Sequence, residues 1–447
     1  RTVIGFGSPN KAGSQKAHGA PLGVEEVRLT KEAYGWDPDK TFFVPDPVAA
    51  LFSRAIMYGE DLFNRWSGAF EAYRAAFPAE AAAFERRFDG DLAAGWDAAL
   101  PRWEAGAEVA TRNASADTIN ALAPGVPELF GGSADLSESN LTDVKGGGDF
   151  TADEAGRNLR FGVREHGMGG IVNGIAYHGG FRPYAATFLT FSDYMRGSVR
   201  IAALSGLPVT YVWTHDSVGL GEDGPTHQPV EQYAALRAIP NLWFVRPADA
   251  NETAAAWALA LERTSGPTAL ALTRQKLPVL PGTAGAARAG VRRGGYVVRP
   301  ASTEATGAVP DILYVATGSE VHLAVAAAEA LEAEGIATRV VSLPCWEAFE
   351  AQDAAYREAV LPAAARKRVA VEIGVSLGWE RYAGDEGAIV ALDHFGTSAP
   401  AGTILREFGF TAEAVADVGR RVVREGFRGR VAAPPSPHPG GHVGGAR

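Results

Sequence analysis

A single cysteine, Cys345, occurs in 447 residues, so no intrachain disulfide can form and a cysteine zinc cluster is excluded. That usage fits a reducing, cytoplasmic setting. No apolar run is long enough to cross a bilayer, and the opening residues lack the basic, apolar and cleavage-site pattern of a secretory signal. Excess positive charge is also missing. Lys and Arg number 42 against 52 Asp and Glu, a net charge of −10, which argues against non-specific nucleic-acid binding and a polybasic membrane patch. What is present is ordinary globular material: 46% apolar and 21% charged residues, in a length that allows two or three domains. Asn-x-Ser/Thr triplets begin at Asn113, Asn140 and Asn251, and without an export signal they read as accidental.

The chain opens at Arg1 with RTVIGFGSPNKAG, the end of a strand running into a loop, which predicts entry partway through a domain. Residues 1–106 show loops and then a helical connector, with Phe70, Tyr73, Phe77 and Phe84 at helical spacing within Pro47–Ala105. From residue 107 to 284 the pattern becomes α/β. Buried-strand runs such as PELFGGSADL, LPVTYVWTHD, NLWFVRP and PTALALT alternate with helical stretches, so the sheet should be mostly parallel and covered on both faces. A connecting stretch, 282–310, leads into a second α/β unit within 285–430. Residues 431–447 are Pro/Gly-rich and predicted to be a disordered tail, with His438 and His442 solvated rather than metal-bound.

Three segments could carry chemistry. In FGVREHGMGG, Glu165 sits between a strand-like run and a glycine-rich helical run. Alone it reads as a helix N-terminal charge. In ATFLTFSDYMR, Phe188, Phe191 and Tyr194 are three apart. That spacing fits core packing or a flat wall for a heteroaromatic ring. In THDSVGLGEDGPTHQP, His215 and His227 bracket Asp223 just after a strand, where open α/β sheets place ligand loops. Arg112, Ser139 and Arg274 are candidate handles for phosphate oxygens. Two motifs mislead. His-Asp-Ser is consecutive and cannot form a triad. GLGEDG matches G-x-G-x-x-G, with Asp249 beyond the next strand, but Glu222 and Asp223 would repel a diphosphate inside it.

Taken in order, GSPNKAG…HGAPLG, GGSADLSESN, FGVREHGM, GGFRPYAATFLTFSDYMR, THDSVGLGEDGPTHQP and TALALTRQ resemble transketolases over nearly the whole chain except the tail. The resemblance implies two α/β domains with mostly parallel sheets, pyrimidine-binding and carboxy-terminal, preceded by a partial diphosphate-binding domain. It implies thiamine diphosphate as cofactor, with Mg2+ or Ca2+. The implied activity is reversible transfer of a two-carbon ketol unit between sugar phosphates, such as xylulose 5-phosphate and ribose 5-phosphate, in the pentose phosphate pathway. The implied assembly is a homodimer with the active site between subunits.

By position, the resemblance implies that Glu165 bonds the aminopyrimidine ring and favours its imino form, and that Phe188, Phe191 and Tyr194 wall that ring. Asp135 becomes a cofactor-side acid, and His18 a histidine near both diphosphate and substrate. His215, Asp223 and His227 surround the sugar carbonyl and hydroxyls, with the imidazoles moving protons, and Arg112, Ser139 and Arg274 clamp the substrate phosphate. The family's Gly-Asp-Gly motif and its downstream Asn, which hold metal and diphosphate, are not found. The expectation is therefore a chain lacking most of its diphosphate-binding domain, cut by proteolysis or by design or completed by another subunit. No metal ligands are assigned in it, and alone it should bind cofactor and turn over weakly. The alternatives carried are a dihydroxyacetone synthase-like ketol transferase and a non-catalytic transketolase-like subunit.

Overall fold

A computed structural model describes residues 2–432 in two compact units, 1–82 and 83 onward. The tail histidines His438 and His442 lie outside the described residues.

In the first unit, the turn-rich segment carrying SPNKAG is pinned by one carboxylate. Glu26 accepts from the Ser8 hydroxyl, from the Asn10 backbone N–H at 2.8 Å and from Asn10 Nδ2 at 2.9 Å. Lys11 Nζ donates to the Leu22 carbonyl at 2.7 Å. Glu26 itself sits in the first turn of α1 (Val24–Ala33). Helix α2 (Asp46–Ala76) then runs 31 residues with Pro47 in its first turn, and none of its residues is buried. Helix α3 (Pro78–Asp89) follows.

The helical connector expected through Ala105 stops at Asp89. Residues 90–107 are turns and extended chain, and Gly90, Gly95 and Gly106 take positive φ of 80°, 70° and 84° that no helix continues through. Strand β1 (Glu108–Ala110) and helix α4 (Thr111–Leu122) begin the first α/β layer. It continues with β2 (Leu129–Ser133), the short α5 (Ser137–Asn140), β3 (Asn158–Arg160), α6 (Glu165–His178) and β4 (Arg182–Phe188). Next come α7 (Ser192–Leu204), β5 (Thr210–Thr214), α8 (Gln232–Arg237) and β6 (Trp243–Val245). The layer closes with α9 (Ala250–Glu262), β7 (Thr268–Leu272) and β8 (Lys276–Pro278), the last pairing antiparallel with β1.

The main sheet has six strands in the order β3-β2-β4-β5-β7-β6, all parallel. Every residue of β4, β5 and β7 is buried, as near-continuous apolar runs covered on both faces should be. Strand β2 packs so tightly that a Cβ at Gly132 would lie 2.0 Å from the Leu159 carbonyl oxygen.

Residues 282–310, expected as a connector, contain helix α10 (Thr283–Arg292) and strand β9 (Tyr296–Arg299). The alanines of TAGAARAGVR favour the helix. YVVR becomes a strand through pairing with a distant partner, which local sequence does not reveal. The second layer holds β10 (Ile312–Ala316), α11 (Val321–Ala333), β11 (Thr338–Ser342), β12 (Arg368–Val371), β13 (Ala388–Ala391) and β14 (Gly429–Ala432). Their order is β14-β13-β12-β10-β11-β9, parallel except for the edge strand β9. Strand β14 takes in Val431 and Ala432, which the sequence reading placed in the tail. Among the described residues, no helix is long and apolar enough to cross a membrane.

The two sheets meet across a buried polar seam. Arg246, just past β6 and fully buried, donates through Nε to Asp216 at 2.9 Å and through Nη2 to Ser319 at 3.0 Å, and it also pairs with Glu320. Arg237 forms a two-pronged bond with Glu372 at 2.6 and 2.9 Å. Asp216 and both arginines belong to the first layer, and Glu320 and Glu372 to the second.

Candidate active site

Strand β2 leads leftward to β3, whereas its right-hand neighbour is β4, so the sheet reverses direction there. A crevice at the carboxyl ends of the strands follows from that topology. Asp135 follows β2, Phe188 ends β4, His215 follows β5 and Arg274 follows β7. Arg112 comes from α4, and a reciprocal bond brings it to the same edge. Thr111 N–H donates to Thr273 Oγ1 at 3.0 Å, and Thr273 N–H donates to Thr111 Oγ1 at 2.7 Å.

The aromatic trio does not form a helix stripe. Phe188 is the last strand residue, Phe191 lies in the 3-10 turn Leu189–Phe191, and Tyr194 is in the first turn of α7. Phe188 and Phe191 stack at 5.6 Å between centroids with 15° between planes, and Tyr194 continues the row at 5.9 Å from Phe191. The imidazoles pack on the same row. His215 stacks on Phe188 at 3.7 Å, and His227 meets Phe191 edge-on at 5.3 Å. Tyr194 is 67% exposed, so the wall opens outward at that end.

His215 is buried and takes a left-handed φ of 60°. Asp135, which is exposed, also takes a left-handed φ, 57°, with its N–H on the Ser133 carbonyl at 3.0 Å. For non-glycine residues this conformation costs free energy and concentrates at functional sites. Burial, and then the nearby charges of Arg112, Arg274 and His227, push the His215 imidazole down to about 3, so it is neutral at physiological pH. Burial and the neighbouring Arg274 also lower Arg112, while Asp223 opposes them. The five candidates Arg112, His215, Asp223, His227 and Arg274 therefore share one electrostatic neighbourhood. Arg112 Nη1 donates to the Ser139 carbonyl at 2.9 Å, and Arg274 Nη1 donates to the Leu220 carbonyl at 3.1 Å. His227 Nδ1 meets Thr226 Oγ1 at 2.9 Å.

The second layer braces the His-Asp-His loop. Gln228 Nε2 donates to the Thr397 carbonyl at 2.9 Å, and the Ser398 hydroxyl donates to the Glu222 carbonyl at 2.6 Å. A dinucleotide fingerprint is ruled out here. Asp249 caps α9 by accepting from Glu252 N–H at 2.9 Å, and its other oxygen accepts from Leu280 N–H and the Thr283 hydroxyl.

Glu165 is the first residue of α6 and partly exposed, and no described residue hydrogen-bonds or ion-pairs with its carboxylate. Its helix presses on α7, where a Cβ at Gly169 would lie 2.1 Å from Ser198 Oγ. Glu165 thus offers a free carboxylate on the helix packed beside the one that starts at the open aromatic row. His18 lies in the first unit, exposed, just after the 3-10 turn Gln15–Ala17. Sequence reasoning missed Asn140 and Thr214 behind His215, because buried polar residues inside strand and helix runs carry no local signature.

Two mostly parallel layers, with two arginines and two imidazoles beside an aromatic row at the carboxyl edge of the first sheet, define an α/β protein of the open, doubly layered class. Comparison with known proteins then gives the lineage. Residues 107–279 match the family model for the transketolase pyrimidine binding domain, and 294–411 match the transketolase-like C-terminal domain. Residues 1–93 match the transketolase thiamine diphosphate binding domain. The chain is 55% identical over 417 residues to the transketolase of Geobacillus stearothermophilus, covering 93% of this chain and 62% of that one. It is 51% identical over 436 residues to that of Mycobacterium tuberculosis, covering 95% and 62%. Among solved structures, the transketolase from Leishmania mexicana aligns with TM-score 0.88 and 46% identity, over 95% of this chain and 61% of that one. A Pichia stipitis transketolase in complex with sedoheptulose 7-phosphate aligns with TM-score 0.88 and 43% identity, over 94% and 62%. The chain belongs to the transketolase family.

The match of residues 1–93 corrects the expectation that most of the diphosphate-binding domain is lacking. That reading rested on the strand-end opening at Arg1 and on the missing Gly-Asp-Gly motif and downstream Asn, whereas the family model matches across residues 1–93. The chain spans about 62% of the length of the curated relatives it matches. Among the described residues, no group of three or more His, Cys, Asp or Glu is placed to hold a metal ion, and no step is assigned to one.

Proposed function

We propose that the protein transfers a two-carbon ketol unit from a ketose phosphate to an aldose phosphate, with thiamine diphosphate as cofactor. The observation that carries this reading is the convergence of two imidazoles and two arginines beside an open aromatic row at the carboxyl edge of the parallel sheet. In this assignment Phe188, Phe191 and Tyr194 hold the pyrimidine ring and Glu165 hydrogen-bonds it. Asp135 and His18 serve the cofactor side, and His18 also reaches the substrate. Thiamine diphosphate supplies a nucleophilic carbon and an electron sink.

The chain's own groups do the rest. Arg112 and Arg274 grip the substrate phosphate with Ser139, and the distant charge orients the reacting end. His215, neutral, accepts from a sugar hydroxyl, and His227 and Asp223 contact neighbouring hydroxyls. The aromatic row excludes water from one face. Our reading extends to a homodimer, supported by exposed apolar side chains on α6 and α7: Ile171, Tyr177, Tyr194, Ile201 and Leu204. It extends to a cytoplasmic setting, in keeping with the one buried thiol, Cys345. A divalent cation beside the diphosphate belongs to the same proposal. We assign residues 107–284 and 285–430 as the pyrimidine-binding and carboxy-terminal domains.

The test is cofactor-dependent consumption of xylulose 5-phosphate with ribose 5-phosphate as acceptor. Glu165→Gln should lower turnover by about 100-fold or more. Unchanged turnover in that variant would remove Glu165 from its role. Transfer only to formaldehyde would move the activity to the dihydroxyacetone synthase type, and no cofactor-dependent transfer at all would overturn the proposal.

A further inference from the structure

A buried chain of hydroxyl and amide groups runs behind His215. Thr142 Oγ1 and Ser133 Oγ lie 2.6 Å apart, and Asn140 Nδ2 donates to Ser133 Oγ at 3.2 Å. The Thr214 hydroxyl donates to Asn140 Oδ1 at 2.7 Å, and the same oxygen lies 2.8 Å from His215 Nδ1. All four non-imidazole members are buried.

With Asn140 Oδ1 facing Thr214 and Nδ2 facing Ser133, proton counting along this chain has one solution. A threonine hydroxyl owns one proton, and an amide oxygen can only accept. Thr214 has committed its proton to Asn140, so toward His215 it can only accept. A bond at 2.8 Å then requires the proton to sit on Nδ1. We propose that Asn140 and Thr214 are positioning residues that hold His215 as the Nδ1–H tautomer, leaving Nε2 as a bare acceptor for a ligand hydroxyl. Phe188, stacked 3.7 Å away, fixes the ring plane, and the left-handed backbone at φ 60° turns the imidazole back onto Thr214. Burial and the two arginines keep the ring neutral, so the tautomer rather than the charge sets its character.

The consequence for the site is selectivity of role. With Nε2 bare, His215 accepts a hydrogen bond from a hydroxyl and fixes its direction. With the tautomers reversed, it would present an N–H and would instead polarise a carbonyl. This inference rests on the proposed ketol transfer only for the identity of the hydroxyl; the tautomer itself is a property of the protein alone.

The experiment is nitrogen-15 NMR of the histidine-labelled 447-residue chain near neutral pH, with His215 assigned by its loss in His215→Gln. The expected result is Nδ1 protonated and Nε2 bare. Thr214→Ser, which keeps the hydroxyl, should retain that state. Thr214→Val, of equal size without it, should shift His215 toward the other tautomer while circular dichroism stays unchanged. An Nε2–H tautomer in the parent protein would overturn the proposal, since it needs the Asn140 amide turned the other way. So would an unchanged Nδ1–H state in a folded Thr214→Val. Because the readout needs no turnover, failure of the ketol-transfer reading would leave this result standing.

Discussion

Arg112 and Arg274 illustrate how a residue's setting limits what it can bind. Burial first, and then repulsion from the neighbouring Arg274, hold Arg112 below its ordinary value. Arg112 Nε is buried without a partner, and only one of its terminal nitrogens is bonded, to a backbone carbonyl. The pair has spare donors and spare positive charge that a dianionic phosphate would satisfy. Arg274→Gln should therefore raise KM for a phosphorylated ketose by about 10- to 100-fold and leave a non-phosphorylated ketose nearly unaffected. Steady-state kinetics on the two donors checks it. An equal loss on both would place Arg274 in loop support, through its bond to Leu220. The arginines, the two histidines and Asp223 were legible because their residue types stand at strand ends in a recognisable order. Asn140 and Thr214 were not. One lies in a four-residue helix and the other in a buried strand, and what they do depends on a contact across 74 positions.

At the scale of elements, the contact between α6 and α7 has little slack. Gly169 faces Ser198, and an added Cβ would lie 2.1 Å from its Oγ and 2.8 Å from its Cβ, so rotating the hydroxyl away does not relieve the overlap. Asn173 Nδ2 also donates to the Ser198 carbonyl at 2.8 Å, which fixes the register of the pair. Gly169→Ala gains roughly 1 kcal/mol of helix propensity but forces the helices apart at a cost of about 1 to 3 kcal/mol. The expected net effect is lower stability, and the double variant Gly169→Ala/Ser198→Gly should recover much of it in urea unfolding. Elements as such were largely readable, since TYVWT, TALAL and ILYVA are buried runs bounded by turn residues. Strands β4 and β9 were among those missed. Strand β4 reads RPYAATF, which leads into the aromatic row, and β9 has strand character only because Val297 pairs with Val341.

For the molecule, the join between the two layers is ionic and protic as well as apolar. Glu252 of α9 is fully buried and accepts from Ser342 Oγ at 2.6 Å and Tyr296 Oη at 2.9 Å, both from the second layer. Burial first, and then the charge of Asp249, push its carboxyl up to about 7 from an ordinary 4.5. The folded state then holds this proton more tightly than the unfolded state. Stability from the group is complete below pH 4.5, falls as pH rises toward 7, and is flat above. Glu252→Gln cannot ionise, so the stability difference between parent and variant should drift against the parent across that window. Denaturant melts at pH 5 and pH 8 measure it, and a pH-independent difference would contradict the shift. Local sequence could not reveal this join, because Glu252 stands in an alanine-rich helix whose partners are 44 and 90 residues away.

Helix α6 carries Glu165 at its start and has glycine at 167, 169, 170 and 174 among its 14 residues. Each costs roughly 1 kcal/mol against alanine, and a helix this short is marginal on its own. It has little reason to form before α7 and β4 are there to receive it. Glu165 is therefore held by the packing of its helix on α7 and β4 more than by the helix itself, and a change that loosens either neighbour loosens the carboxylate with it.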